Sequence, residues 1–313
     1  MKRNKILTYA VAVLGISYLA QIYILQNGGI GGKAFEMLAP IIMFLPGILA
    51  ILLILITKEG IKTINWKLGK PLYLLYAAFI PSIIALSALF IISFFGWGDI
   101  AHFKFADNQI EIIKGKFVLG KGSQSIFFFL LNYILTVVLF SFISGALAFG
   151  EELGWRGYLQ DKLIAKKGLF WGITILGLIW GFWHFPIILN GYNHPETPVL
   201  GAFVLFPLTT IFASFFLAWL TIKAESFWPA VIAHGNVNAF IGSFVGGMNY
   251  NDGNRIYADI LVLILWGVIA VLSFRSIKKN KTSNRNTKKT INIEVVRAQE
   301  EVKISLNKQD DSM

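Results

Sequence analysis

The chain has 313 residues, 56% hydrophobic and 14% charged, with a mean hydropathy of +0.64 and a formal net charge of +11. A soluble domain carries about 25% charged and about 45–50% apolar residues, so these values exclude an ordinary cytosolic enzyme, a disordered chain and a collagen-like one, and leave a polytopic membrane protein. With no cysteine in the sequence, a disulfide framework, an Fe–S cluster, a cysteine zinc site and a cysteine nucleophile are excluded too.

A membrane-spanning helix needs about 20 mostly apolar residues. Eight stretches qualify: 6–25, 35–56, 71–95, 126–149, 169–189, 199–222, 228–245 and 257–277. The first follows Met1-Lys2-Arg3-Asn4-Lys5 but has no small-residue cleavage site, which makes it a retained span rather than a signal peptide. The expected fold is all-α, a polytopic helical membrane protein of about eight spans with both termini in the cytoplasm. That orientation places Lys58, Lys62, Lys67 and Lys70, then Lys162, Lys166 and Lys167, on the positive inner side. The 96–125 loop falls outside and is the exception, with Lys104, Lys114, Lys116 and Lys121; its mixed pattern suits a segment lying along the membrane surface. The polar stretch 278–313 reads as a disordered basic tail attracted to anionic lipid. Four regions result: an N-terminal membrane region 1–124, a core 125–250, a last span 251–277 and the tail 278–313. The positive charge sits between and after apolar runs, so membrane lipids are the expected partner and nucleic acid is not.

An ionisable residue at mid-membrane costs about 2.5–3.5 kcal/mol on insertion scales. The fourth span nevertheless runs into Glu151-Glu152-Leu153-Gly154-Trp155-Arg156, the fifth holds Trp180-Gly181-Phe182-Trp183-His184, and the seventh holds His234-Gly235-Asn236-Val237-Asn238. The fourth and fifth spans form a hairpin whose tip falls near Lys167-Gly168. Glu151 and His184 each lie 16 residues from that tip, about 25 Å along a helix and therefore at one depth. His234 and Asn238 lie roughly 15–20 Å above the next turn, near residues 223–226. The expected site is thus one layer near the cytoplasmic side, in a cavity facing the cytoplasm. Glu152 and Arg156 are i,i+4 and share a helix face, as do His234 and Asn238. One carboxylate can then be neutralised by Arg156 while Glu151 stays free as a general base. A water between Glu151 and His184, with His234 and Asn238 donating to an oxyanion, is the inventory for peptide hydrolysis without a covalent intermediate.

Glu-Glu-x-x-x-Arg, then aromatic-x-x-x-His, then His-x-x-x-Asn, in order and in membrane spans, resembles the CPBP intramembrane proteases. That family includes type II CAAX prenyl endopeptidases, bacteriocin-processing and bacteriocin-immunity proteins and Abi-type proteins. The resemblance covers roughly residues 125–250. It implies an intramembrane endopeptidase in which Glu151 and His184 activate water, His234 and Asn238 form the oxyanion site, and Glu152 and Arg156 support them. The second motif usually opens with Phe, and here it opens with Trp180. The substrate implied is a hydrophobic or lipidated peptide or protein. In the bacterial plasma membrane that the composition suggests, a peptide pheromone, a bacteriocin leader or a membrane-protein stub fits better than a true CAAX protein.

No cofactor is required by these residues, although Glu151, His184 and His234 with water make a possible zinc set. There is no His-Glu-x-x-His to favour zinc, and Asn238 suits an oxyanion site better than a metal. Two other functions fit intramembrane Glu, His and Arg: a proton-coupled transporter and a non-catalytic bacteriocin-immunity protein. The chain shows no internal repeat of the kind many transporters carry. His102 and His194 read as solvated surface residues, Asn236 as a cavity-lining residue, and Trp155, Trp180, Trp183 and Trp228 as packing or interfacial anchors.

Overall fold

The computed structural model describes residues 5–251 and 253–279, with Ser243 described by its backbone alone. Its helices are α1 (Lys5–Gln26), α2 (Lys33–Ile56), α3 (Pro71–Phe94), α4 (Ile126–Lys167), α5 (Leu169–Trp183), α6 (Pro198–Ala224), α7 (Trp228–Phe240, continuing as a wider π turn over Ile241–Val245) and α8 (Arg255–Lys279). They occupy the eight apolar stretches of the sequence. Among the described residues six of them, α1, α2, α3, α4, α6 and α8, are long and apolar enough to cross a membrane, while α5 and α7 are shorter. The tail beyond residue 279 lies outside the described residues, as do Lys2 and Arg3; Lys278 and Lys279 extend α8.

The chain starts and stops these helices by familiar chemistry. Proline stands in the first turn of α3, α6 and α7, where its missing N–H is not needed. Gly168, at φ +79, ends α4 and lets the chain reverse into α5. Helix α4 is 42 residues long and widens into a π turn over Leu153–Leu159, directly after Glu151 and Glu152. Such turns recur at functional sites.

In a bilayer, helices associate through close packing rather than hydrophobic burial, and small residues let backbones approach. Gly150 and Gly154 of α4 sit where a Cβ would strike Phe44 and Pro46 of α2, and Gly235 of α7 sits where one would strike Gly145 and Ser141 of α4. Gly177 of α5 lies against Ile211 of α6, and its carbonyl accepts the Thr210 hydroxyl at 3.0 Å. Asn236 does not line the cavity. It is buried and donates to the Ala78 carbonyl (2.5 Å) and the Ser141 hydroxyl (2.8 Å), stapling α7 to α3 and α4.

The expected surface loop 96–125 is a folded cap. Strands β2 (Phe103–Ala106), β3 (Gln109–Ile112) and β4 (Gly122–Ser125) form an antiparallel meander, with Phe103 opposite Ile112 and Glu111 opposite Ser123. A second pair joins β1 (Gly98–Asp99) to β5 (Asn249–Tyr250). Phe103 and Ile112 point inward onto the ends of α3, α4 and α7, with the Phe103 ring 5.4 Å from Phe129 and 5.9 Å from Phe244. His102 is accordingly not solvated: it is buried, with its ring 5.4 Å from Phe244.

Candidate active site

The three motifs meet around Trp180. Its indole Nε1 donates to Glu151 Oε2 at 2.9 Å, its carbonyl accepts from His184 Nδ1 at 3.1 Å, and its ring lies edge-on to the His234 ring at 5.1 Å. The Arg156 guanidinium sits 4.5 Å over the same ring. One side chain therefore touches a member of each motif. Sequence reading assigned it to packing. The available signal was its departure from the usual Phe, because an indole supplies the N–H that a phenyl ring lacks.

Glu152 and Arg156 form the expected i,i+4 pair at 2.8 Å, with both side chains fully buried. Glu152 also accepts from His234 Nδ1 at 2.7 Å, through the same oxygen. Arg156 in turn donates to the Ser214 hydroxyl at 3.0 Å. A buried charge is tolerated when it is paired and hydrogen-bonded, and this chain of bonds supplies both. It also fixes the imidazole: with Nδ1 committed to Glu152, His234 presents Nε2 at its other edge. His184 is fixed likewise, since a carbonyl only accepts and Nδ1 must carry the proton, leaving Nε2 as an acceptor.

Glu151, His184, His234 and Asn238 line one cavity of about 500 Å³. Asn238 is exposed to it, one turn beyond His234. Its remaining walls are mostly apolar, with Met43, Leu147, Phe206, Val237 and Trp266 among them. Leu147 is 43% exposed, so the wall between α2 and α4 reaches the lipid-facing flank.

The cavity extends towards one end of the bundle. Gln21 and Ile24 at the end of α1, Phe35 at the start of α2, Tyr192–His194 before α6, and Arg255 and Asp259 at the start of α8 all line it. This end lies away from Lys5 and Lys279, the first and last described residues. Towards the other end, Trp155, Leu159, Leu163, Leu220 and Phe227 are all buried, and Gln160 bonds Thr221 at 2.9 Å. The two expectations, termini in the cytoplasm and a cavity facing the cytoplasm, therefore do not hold together. His194 is also not a solvated residue: it is buried at the cavity mouth with Nδ1 2.8 Å from Asp259 Oδ2.

Among the described residues no three or more His, Asp or Glu side chains are grouped as a metal-holding set. No step below is routed through a metal.

Residues 122–240, which contain all six motif residues, match the family described as "Type II CAAX prenyl endopeptidase Rce1-like". Independently, a protein of Methanococcus maripaludis named "CAAX prenyl protease 2" is 29% identical over 183 residues. That match covers 57% of this chain and 57% of the relative, so the chain is aligned to little more than half of it. The matched segment comprises α4 to α7 and β4, while α1, α2 and α8 complete the cavity wall from outside it.

Proposed function

We propose that this integral membrane protein is an intramembrane endopeptidase acting on a hydrophobic or lipidated peptide segment. The observation that carries this reading is the convergence of Glu151, His184, His234 and Asn238 on one largely apolar cavity, with Glu151 and both histidines held in place by Trp180 and Glu152.

In the proposed reaction a water bound between Glu151 and His184 Nε2 loses a proton to Glu151 as its oxygen bonds to the scissile carbonyl carbon. The carbonyl π-electrons move onto oxygen, and the Asn238 amide stabilises the oxyanion together with Nε2–H of a doubly protonated His234, whose Nδ1–H bonds the Glu152 carboxylate. The intermediate collapses as the C–N bond breaks. The proton held by Glu151 passes to the leaving nitrogen, giving one new carboxyl and one new amino terminus. Positioned proton transfer of this kind is worth about 10²–10⁴ in rate, and one oxyanion donor about 10²–10³. The bacterial plasma membrane and a peptide pheromone, bacteriocin leader or membrane-protein stub as substrate belong to this proposal.

The test compares peptide termini in membranes from cells expressing wild type or Glu151→Gln at equal levels. Termini found only with wild type support the peptidase and identify its substrates. Identical termini with both proteins folded would leave transport or toxin immunity in its place.

A further inference from the structure

Resting on that reading, we infer that the cavity is entered from the extracytoplasmic side. Its substrate is then an apolar segment of an exported or outward-facing polypeptide, and not the tail of a cytoplasmic protein.

The first support is closure at one end. Between the site layer and the face that bears Lys5 and Lys279 lies a packed plug. Trp155, Leu159 and Leu163 of α4, Leu220 of α6 and Phe227 before α7 are each at most 3% exposed. Glu151 stands 11 residues above Lys162 on α4, about 16 Å at 1.5 Å per residue. Lys162 in turn bonds Glu59 at 2.6 Å, and Glu59 bonds Lys5 at 2.6 Å, so this triad marks the polar floor. No described cavity-lining residue comes from the segments 57–70 or 155–168 that form this floor. At the opposite end the lining runs out to Asn193 and Gly246, both exposed.

The second support is charge. Among residues 5–279 the closed end carries twelve Lys and Arg, from Lys5 and the 58–70 and 162–167 clusters to Lys279. The open end carries six: Lys33, Lys104, Lys114, Lys116, Lys121 and Arg255. Four of those six lie in or beside the β2–β4 cap, a folded unit rather than a short turn. Lys and Arg in short loops set orientation, and here the short loops at the closed end hold clusters while the 27–32 and 190–197 connections hold none. The closed end is therefore cytoplasmic and the mouth is not.

The third support is the wall. Met43 and Leu147 line the cavity on the side of the mouth, above the tight α2–α4 crossing at Gly47 and Gly150. A segment lodged in the outer half of the bilayer reaches Glu151 along that wall without crossing the plug.

The natural absence of cysteine makes this testable on the whole protein. Single cysteines are placed at Glu196 beside the mouth, at Thr209 on the cavity wall and at Ala165 near the closed tip. Spheroplasts and lysed membranes are treated with a charged, membrane-impermeant methanethiosulfonate. We expect Glu196→Cys and Thr209→Cys to react in intact spheroplasts, and Ala165→Cys to react only after lysis. Reaction of Ala165→Cys in intact spheroplasts, or protection of Glu196→Cys until lysis, overturns the orientation. Protection of Thr209→Cys with Glu196→Cys reactive overturns entry through that mouth. Labelling does not depend on turnover, so a failed comparison of peptide termini with the expected labelling would sink the peptidase and leave the orientation standing.

Discussion

The two ends of the bundle solve opposite problems. From the site layer down to the closed end, glycines bring α2, α4 and α7 into backbone contact, buried tryptophan and leucine fill the interior, and the Lys5–Glu59–Lys162 triad ties three elements at the surface. At the open end the same helices separate around about 500 Å³ of space and are held at their tips by the β2–β4 cap and the His194–Asp259 contact. The motif residues stand at the boundary. They need a rigid base to be aimed from and an empty half to receive a substrate. Rigidity here is a matter of packing, and reactivity depends on a few polar contacts lying just above it.

The sharpest way to break the base is to put a side chain where two backbones meet. Gly235→Leu would drive its Cβ into Gly145 and Ser141 of α4. Overpacking costs typically about 1–3 kcal/mol and more where backbone must move. We expect loss of monodisperse protein after detergent extraction, measured by size-exclusion chromatography. A variant that elutes as wild type would show that α4 and α7 are not in contact there.

The next contrast separates stability from chemistry within one turn of helix. Arg156→Ala leaves Glu152 buried and short of a partner, and breaking such a pair costs about 3–5 kcal/mol. Glu151→Gln keeps an oxygen to accept the Trp180 N–H and should leave the thermal midpoint within a few degrees. We expect Arg156→Ala to lower the midpoint strongly, and Glu151→Gln to lower cleavage by about 10²–10⁴ on an unchanged fold. Equal thermal losses in both variants would place the two carboxylates in one structural role.

Much of this boundary was legible in the sequence because it is local. Helical spacing alone pairs Glu152 with Arg156 and stacks Asn238 over His234, and equal distances from a turn put Glu151 and His184 at one depth. What the sequence hid depends on how helices face one another. Glu152 reaches His234 across 82 residues, and His194 reaches Asp259 across 65. No periodicity encodes either contact. The open end was misjudged because span counting gives depth along each helix but not which way the helices splay. The cap did carry a signal: Phe103 to Ile112 alternates around the two-residue connection Asp107-Asn108, a hairpin pattern overlooked beside the stronger membrane pattern.

A smaller effect tests the hub. Trp180→Phe keeps an aromatic face for Arg156 and His234 and removes only the N–H to Glu151. One hydrogen bond to a charged group is worth about 1.5–3 kcal/mol, part of which water can replace in an open cavity. We expect kcat to fall roughly tenfold, equivalent to about 1.4 kcal/mol, with KM little changed. A Trp180→Phe variant as active as wild type would reduce Trp180 to packing.

The smallest effect lies at the polar floor and has a definite sign. Burial pushes the Glu59 carboxyl up, but hydrogen bonds from Lys162 and Lys5 outweigh it and hold the group at about 2, against an ordinary 4.5. A carboxylate whose folded value is lowered stabilises the fold fully above its unfolded value and loses that contribution as the pH falls through its folded value. The window is therefore about pH 4.5 down to about pH 2. Solvent screening near the surface limits the contribution to about 1 kcal/mol or less. Wild type should thus lose slightly more thermal stability between pH 5 and pH 3 than Glu59→Gln, whose floor no longer titrates. Parallel losses in the two proteins would show that the triad does not hold α1 and α4 together, and that the closed end owes its rigidity to the glycine crossings alone.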